Sequence, residues 1–330
     1  MTATALLPGL VSTIVPVRNR PGMVVEAVES VLAQSYRPIE VVIVDDASTD
    51  ETPRAIAELE RRAPESVRSI RRSVAGGPGA ARETGRQAIR GAYVQHLDSD
   101  DLLAPGKLEA QVRVLDERPE LALVYGDVEE RWDGPGAPPG ECTRSLPSHD
   151  HGFPVLLTHR VWHTFAPLYR REVIDQAGAW LPLSNEEDWE YDARIAALGR
   201  PIAKVDQVVG VMRRHGEGHA SGGARARRRT LHHQSLARER IVGHALRAGV
   251  AREAPEMQHA VRAVFLLSRQ CGAAGLVEDS RRLFELVRRL ALDPAAFDLR
   301  CYATAARVAG WRPAGVLAGA LDRLRGALRK

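Results

Sequence analysis

The chain has 330 residues, 44% of them hydrophobic and 27% charged, with a net charge of +4. That composition leaves room for one large domain, or a medium domain with a smaller one, and excludes wholesale disorder and fibrous architectures. No apolar run approaches the roughly 20 residues of a membrane-spanning helix, and Met1 to Val11 show no secretory-leader pattern. The three cysteines, Cys142, Cys271 and Cys301, are scattered without metal-ligand spacing, which fits a reducing cytosol.

Leu10 to Val17 is a short apolar run with β-branched residues and reads as a buried strand. Pro21 opens a helix whose Val24, Val28, Val31 and Leu32 share one face. Ile39 to Val44 is a second strand, apolar throughout, as expected where helices cover both sheet faces. Ser48-Thr49-Asp50 offers caps for a helix that carries Ile56 and Leu59. Val67 to Ile70 is a weaker strand. Gly76-Gly77-Pro78-Gly79 breaks the chain before a helix from about Ala80 to Ile89, and Ala92 to Leu97 is a fourth strand.

Leu121 to Val128 is another strand, Asp133 to Gly140 a Gly/Pro-rich loop, and Phe153 to Trp180 shows no clear period. Asn185 to Leu198 reads as a helix and Val208 to Met212 as a strand. Gly216 to Gly223 marks a boundary, so residues 1–222 are expected as an α/β domain and 223–330 as a helical C-terminal region. There, Leu283, Leu286, Val287 and Leu290 share one face, as do Leu317, Leu321, Leu324 and Leu328. From Arg225 onward 21 Lys and Arg face 9 Asp and Glu, so this region is basic. That charge predicts an anionic partner, although almost all of it is Arg, a compositional bias. No nucleic-acid-binding motif accompanies it. The last helix, with Arg323, Arg325, Arg329 and Lys330, reads either as a membrane-surface helix or as one packing its Leu face on the domain.

Alternating strands and helices imply a mostly parallel sheet, whose ligands sit beyond the carboxyl ends of the strands. Two acidic clusters stand there. Val44-Asp45-Asp46-Ala47-Ser48-Thr49-Asp50 could hydrogen-bond a base imide or a ribose hydroxyl, or could cap a helix. Leu97-Asp98-Ser99-Asp100-Asp101 could hold a divalent cation against a diphosphate, or could be a solvated acidic loop. A third group, Asn185-Glu186-Glu187-Asp188-Trp189, carries either a general base or an acid that suits a helix start. A nicotinamide-dependent oxidoreductase would need Gly-x-Gly-x-x-Gly after the first strand; Pro16-Val17-Arg18-Asn19-Arg20-Pro21 stands there instead. A nucleotidyltransferase would need a Gly-rich, Lys-bearing loop.

Taken in order, five segments resemble the family 2 glycosyltransferases, inverting enzymes with the GT-A nucleotide-sugar-binding fold. They are Val15-Pro16-Val17-Arg18-Asn19-Arg20, Gln34-Ser35-Tyr36 with the following Val44 to Asp50, Gly79-Ala80-Ala81-Arg82-Glu83-Thr84-Gly85, Asp98 to Asp101, and Glu187-Asp188-Trp189. Glu83 departs from the family's usual Asn. The resemblance spans about Leu10 to Ser221 and implies a sheet flanked by helices, with an α-helical C-terminal extension. It implies nucleotide-binding roles for Pro16, Arg18, Asp45, Arg82 and Asp98, with Asp45 reading the uracil. It implies a Mn2+ or Mg2+ ligand in Asp100, with Asp98 and His215 as companions, and a catalytic base in Asp188. For His215 a structural role is the other reading.

The expectation is therefore a metal-dependent, non-processive transferase that moves one hexosyl or N-acetylhexosaminyl group from a UDP-sugar. The acceptor is a hydroxyl of a glycan, a lipid-linked molecule or a small molecule. The Gln-x-x-Arg-Trp motif of processive synthases is absent from these residues. The expected location is the cytoplasm, with peripheral contact at the inner face of the membrane through the basic C-terminal helices. The alternative is a non-catalytic binding or scaffold protein on the same fold.

Overall fold

A computed structural model describes residues 6–133, 142–144, 146–215 and 224–327. The chain groups into two compact units. One takes Met1–Gly152, Val161–Tyr191 and Leu198–His219; the other takes Phe153–Arg160, Asp192–Ala197 and Ala220–Lys330. The second unit thus draws two short segments from the first two thirds of the chain. The boundary expected at 222/223 falls outside the described residues.

The first unit begins with β1 (Leu7–Val17), α1 (Pro21–Leu32), β2 (Ile39–Asp45), α2 (Thr52–Arg62), β3 (Val67–Arg71), α3 (Pro78–Ala88) and β4 (Gly91–His96). These four strands are parallel and lie in the order β3-β2-β1-β4. Every residue of β2 is buried, and so is β1 from Leu10 on, which explains why neither alternates in polarity. Register aligns their carboxyl ends: Val17 stands opposite Asp45, and Asp45 opposite Arg71. Asp98 follows two residues after β4 ends. Both acidic clusters therefore leave the sheet at one edge. Pro16 lies buried inside β1 opposite Val44; pairing with β4 ends at Ile14, so its missing N–H breaks no ladder bond there.

Beyond β4 the sheet becomes mixed. The chain adds β5 (Leu102–Leu103), α4 (Lys107–Glu117), β6 (Leu123–Asp133), β7 (Cys142–Arg144), β8 (Leu168–Arg170), α5 (Arg171–Ala177), α6 (Glu187–Ala196) and β9 (Ile202–His215). Strand order continues β4-β8-β6-β9-β5, with β7 on β6. β8 runs antiparallel between β4 and β6, whereas β6 and β9 are parallel. β8 and α5 occupy the segment whose sequence shows no period. Three residues of strand are too few to display one, and tertiary pairing places them.

Two glycines fix the position of α3. A Cβ on Gly85 would lie 2.4 Å from Ile14 Cγ2 of β1, and one on Gly79 would lie 2.3 Å from the Leu181 carbonyl oxygen. Alanine would suit the helix better, by about 1 kcal/mol. A backbone oxygen cannot yield as a side chain can, so close packing decides these positions.

Lys107 of α4 is wholly buried. Its Nζ donates to Gln95 Oε1 at 2.5 Å and to Gln111 Oε1. The two amides in turn donate to the Phe165, Val124 and Ala166 carbonyls. Burial holds the Lys107 amine well below the usual lysine pKa. This polar knot joins β4, α4 and β6, which an apolar contact would do less specifically.

In the second unit, α7 (Ala224–Arg247), α8 (Pro255–Ala273), α9 (Val277–Leu290), α10 (Phe297–Ala309) and α11 (Trp311–Ala327) follow one another. The α9 face of Leu283, Leu286, Val287 and Leu290 is buried, as its spacing predicts. Phe265, Phe284, Tyr302 and Trp311 form an aromatic cluster with neighbouring centroids 5.5 to 6.0 Å apart. On α11 the outcome differs. Ala314 is buried, but Leu317 and Leu321 are 56% and 46% exposed. The Leu324 and Leu328 side chains lie outside the described residues.

Candidate active site

Two loops at the sheet edge are stitched together. Asn19 takes φ 53°, a left-handed conformation that asparagine tolerates. This turns its amide side chain toward the next loop: Oδ1 accepts the Thr49 N–H at 2.9 Å, and its own N–H donates to Ser48 Oγ at 3.0 Å. The Arg20 N–H donates to Thr52 Oγ1 at 2.9 Å. Arg18 is exposed at the tip.

Asp45 and Asp46 have different tasks. Asp46 accepts the Gly76 and Gly77 N–H groups, at 2.9 and 2.8 Å, and pairs with Arg72 Nε at 2.9 Å. It anchors the loop that leads into α3. Asp45 Oδ1 accepts the Ser48 N–H at 2.9 Å, whereas Oδ2 is buried 3.5 Å from Arg71 Nε and accepts no hydrogen bond. A buried carboxylate oxygen without a donor is costly in isolation and can receive an N–H or O–H from a ligand. Helix capping does not account for it, because Asp50 accepts the Thr52 N–H at the start of α2.

Arg82, on α3, is buried between two carboxylates. Nη2 donates to Asp98 Oδ1 at 2.6 Å and Nη1 to Glu187 Oε1 at 2.9 Å. Its guanidinium lies 5.0 Å from the Trp180 ring centroid, and that ring stacks on Tyr191. Burial opposes the charge, but Asp98, Glu187 and Asp188 outweigh it and raise the Arg82 pKa. Burial dominates at Glu187 and holds its carboxyl above the usual range despite Arg82. Glu83, the departure from the family's Asn, binds Arg86 through both oxygens at 2.8 and 2.9 Å and accepts the Trp180 N–H at 3.0 Å. Burial works against ionisation there, and these hydrogen bonds overcome it, lowering its pKa. Glu83 thereby braces the wall that carries Trp180.

The second acidic cluster is a turn closed by the Asp101 N–H to the Asp98 carbonyl at 3.0 Å. Asp100 Oδ2 pairs with Arg20 Nη1 at 2.6 Å. Asp101 is buried and accepts the Arg213 N–H at 3.1 Å; burial, then Asp98 and Asp100, push its pKa well above the usual value. Arg213, on β9, also donates through Nε to the Asp100 carbonyl at 2.5 Å and pairs with Glu26 of α1. His215, at the end of β9, stands opposite Asp133; its side chain lies outside the described residues.

Asp188 is the second residue of α6 and partly buried. Oδ1 accepts the Trp189 N–H at 2.7 Å and Oδ2 the Thr164 hydroxyl at 3.3 Å. An acid in a first helical turn is stabilised by the helix dipole, so the structural reason for Asp188 is real. Its neighbour Glu187 adds a second fact: through Arg82 it ties this helix start to Asp98. Sequence reasoning missed Arg20, Arg71, Arg213 and Glu187. Arg20 and Glu187 stood inside the motifs, but their partners are remote in sequence.

Among the described residues, no cluster of three or more His, Cys, Asp or Glu side chains could hold a metal by itself. Asp98 and Asp100 offer hard carboxylate oxygens on one turn. Mg2+ and similar ions are commonly held by one or two carboxylates plus substrate phosphates, so this donor set fits such an ion.

The sequence model of glycosyl transferase family 2 matches residues 12–176, half the chain, from β1 through α5. The chain belongs to glycosyl transferase family 2. An uncharacterized Mycobacterium tuberculosis protein is 33% identical over 204 residues, 61% of this chain and 57% of its own length. The chain thus spans little more than half the length of such curated relatives. Among solved structures, residues 1–349 of S. aureus TarS in complex with UDP superpose with a TM-score of 0.65 at 19% identity, covering 95% of this chain and 91% of that one. A Pyrobaculum calidifontis mannosyltransferase in complex with GDP-Man and Mn2+ gives 0.53 at 21% identity, covering 95% and 86%. At these identities the likeness establishes the GT-A-like fold. Family membership and fold together direct attention to the carboxyl edge of β1, β2 and β4, where Asp45, Asp98 and Asp100 gather.

Proposed function

We propose that this family 2 protein is an inverting, metal-dependent, non-processive transferase that moves one hexosyl or N-acetylhexosaminyl group from a UDP-sugar to a hydroxyl acceptor. The observation that carries the reading is the buried chain Asp98–Arg82–Glu187, which brings the acidic turn and the Asp188 helix start to one place. UDP in the TarS complex and GDP-Man with Mn2+ in the mannosyltransferase support a nucleotide-sugar donor.

In this reading the open Asp45 Oδ2 accepts the imide N–H of the base, with Pro16 and Arg18 flanking the nucleotide. Asp98 and Arg82 line the ribose and diphosphate side. Asp100 and Asp98, with His215 as the companion that the family resemblance implies, would hold Mn2+ or Mg2+, which would supply Lewis-acid neutralisation of the departing diphosphate. Asp188 accepts the proton of the acceptor hydroxyl as its oxygen attacks the anomeric carbon from the face opposite the leaving group. One displacement inverts the configuration, and no protein nucleophile is needed. Calorimetric titration of UDP in Mn2+ is expected to show binding that EDTA abolishes and that Asp100→Asn weakens at least tenfold, a loss typical of a contact to a charged group. Silence with UDP, GDP and dTDP alike would move the reading to a non-catalytic scaffold on this fold.

We place the protein in the cytoplasm, in peripheral contact with the membrane. Among the described residues no helix is long and apolar enough to cross a membrane. Leu317 and Leu321 stand exposed on α11, in a region where Arg far outnumbers Asp and Glu. Such a surface suits anionic lipid. The full chain is expected to co-float with vesicles containing anionic lipid at low salt and to be released at high salt. Equal flotation of Leu317→Ser/Leu321→Ser, or none by the wild type, counts against this contact.

A further inference from the structure

The three acids of the Asp98–Asp101 turn are each met by a different basic residue, and the three arrangements are not equivalent. Asp98 pairs with Arg82, whose side chain is 3% exposed and is shared with Glu187. Asp101 takes the backbone N–H of Arg213, which cannot leave. Asp100 takes the Arg20 guanidinium at 2.6 Å, and both of these side chains are partly exposed, 30% and 21%. Moving Arg82 would strand a buried Glu187. Moving the Arg20 guanidinium strands nothing buried, and its backbone stays anchored on Thr52.

We infer that Arg20 is a displaceable counter-ion. It neutralises Asp100 before donor and metal arrive, then turns to the donor's diphosphate when Asp100 takes the metal. The inference rests on the metal-dependent reading above. It follows from charge conservation. A divalent cation brings two positive charges and a sugar-bearing diphosphate two negative, so their arrival leaves the released guanidinium in need of an anion. The diphosphate on that same cation offers one. When the bond between the anomeric carbon and the phosphate oxygen breaks, its electron pair stays on the oxygen. The leaving group gains one negative charge, and Arg20 faces it as it grows. A second observation marks the same edge for a ligand. Asp45 Oδ2, buried and without a donor, belongs to the loop stitched to Asn19, next to Arg20.

The test exploits opposite signs. In Arg20→Ala the competitor for Asp100 is gone, so free Mn2+, followed by the electron paramagnetic resonance of the unbound ion, should bind about three to ten times more tightly. UDP titrated in saturating Mn2+ should bind about tenfold more weakly, because a charge-assisted phosphate contact is lost. Arg20→Lys keeps the charge and should move both affinities back toward wild type. Arg54→Ala, an exposed arginine on α2, controls for general charge loss. A merely structural Arg20 would weaken both ligands together. That result, or no change in either, overturns the inference and leaves the metal-dependent reading standing. A wild type that takes up neither Mn2+ nor UDP overturns both.

Discussion

Arg82→Ala is expected to lower the unfolding free energy by about 3–5 kcal/mol, the usual cost of breaking a buried charge pair by removing one partner. The substitution takes the Arg82 guanidinium away from the buried Glu187 and from Asp98. It also removes the charge that lies over Trp180. Urea denaturation reads the loss as a lower midpoint. The penalty should shrink as pH falls. Glu187 already sits above its usual pKa through burial; without Arg82 it rises further, so the folded variant gains stability as it takes up a proton. Arg82→Met with Glu187→Met is the informative partner. Replacing both charges with apolar groups should recover most of the stability, yet UDP binding should be weakened, because Arg82 lines the proposed nucleotide site. A loss below about 1 kcal/mol in Arg82→Ala would mean that the pair is far better hydrated than its burial implies.

Asp188→Asn should separate chemistry from structure. Asparagine has the same shape; its oxygen can still accept the Trp189 N–H, and its NH2, standing where Oδ2 was, can donate to the Thr164 hydroxyl oxygen, so folding should change by less than about 1 kcal/mol. What is lost is the ability to take a proton. General-base catalysis contributes roughly 10²- to 10⁴-fold, and kcat should fall by that factor while UDP affinity in Mn2+ stays near wild type. Transfer is read from UDP release with whichever sugar donor and acceptor prove active. If activity stays within tenfold, the base lies elsewhere, and Asp188 is a helix-start acid and nothing more. Glu187, one residue earlier, should behave in the opposite way. Glu187→Gln should disturb stability because it weakens the buried pair with Arg82, and should touch the proton transfer only through that disturbance.

The strands that build the carboxyl edge were legible because burial on both faces imposes unbroken apolar runs on β1 and β2. The helices α1 and α9 were legible because one-sided burial imposes a 3.6-residue period. Asp45, Asp98, Asp100 and Asp188 were legible because carboxylates at strand ends and helix starts stand out against those patterns, and because their order resembles one family. The same rules passed over α4, since Lys107 and Gln111 are polar yet buried, a combination that only the facing amides and carbonyls make tolerable. They also passed over β8, which is too short to have a period.

Local pattern, with the resemblance to one family, therefore determined the fold class and marked the sheet edge at which the acids gather. Tertiary structure decided how those acids are paired. Asp46 and Asp45 are adjacent and chemically identical, but only one keeps an open oxygen, because Gly76, Gly77 and Arg72 arrive from another loop and satisfy the other. Arg82 meets Glu187 across 105 positions, and Arg213 meets Asp101 across 112. Charge pairing acts over a few ångströms in space whatever the distance along the chain, so no window of sequence contains it.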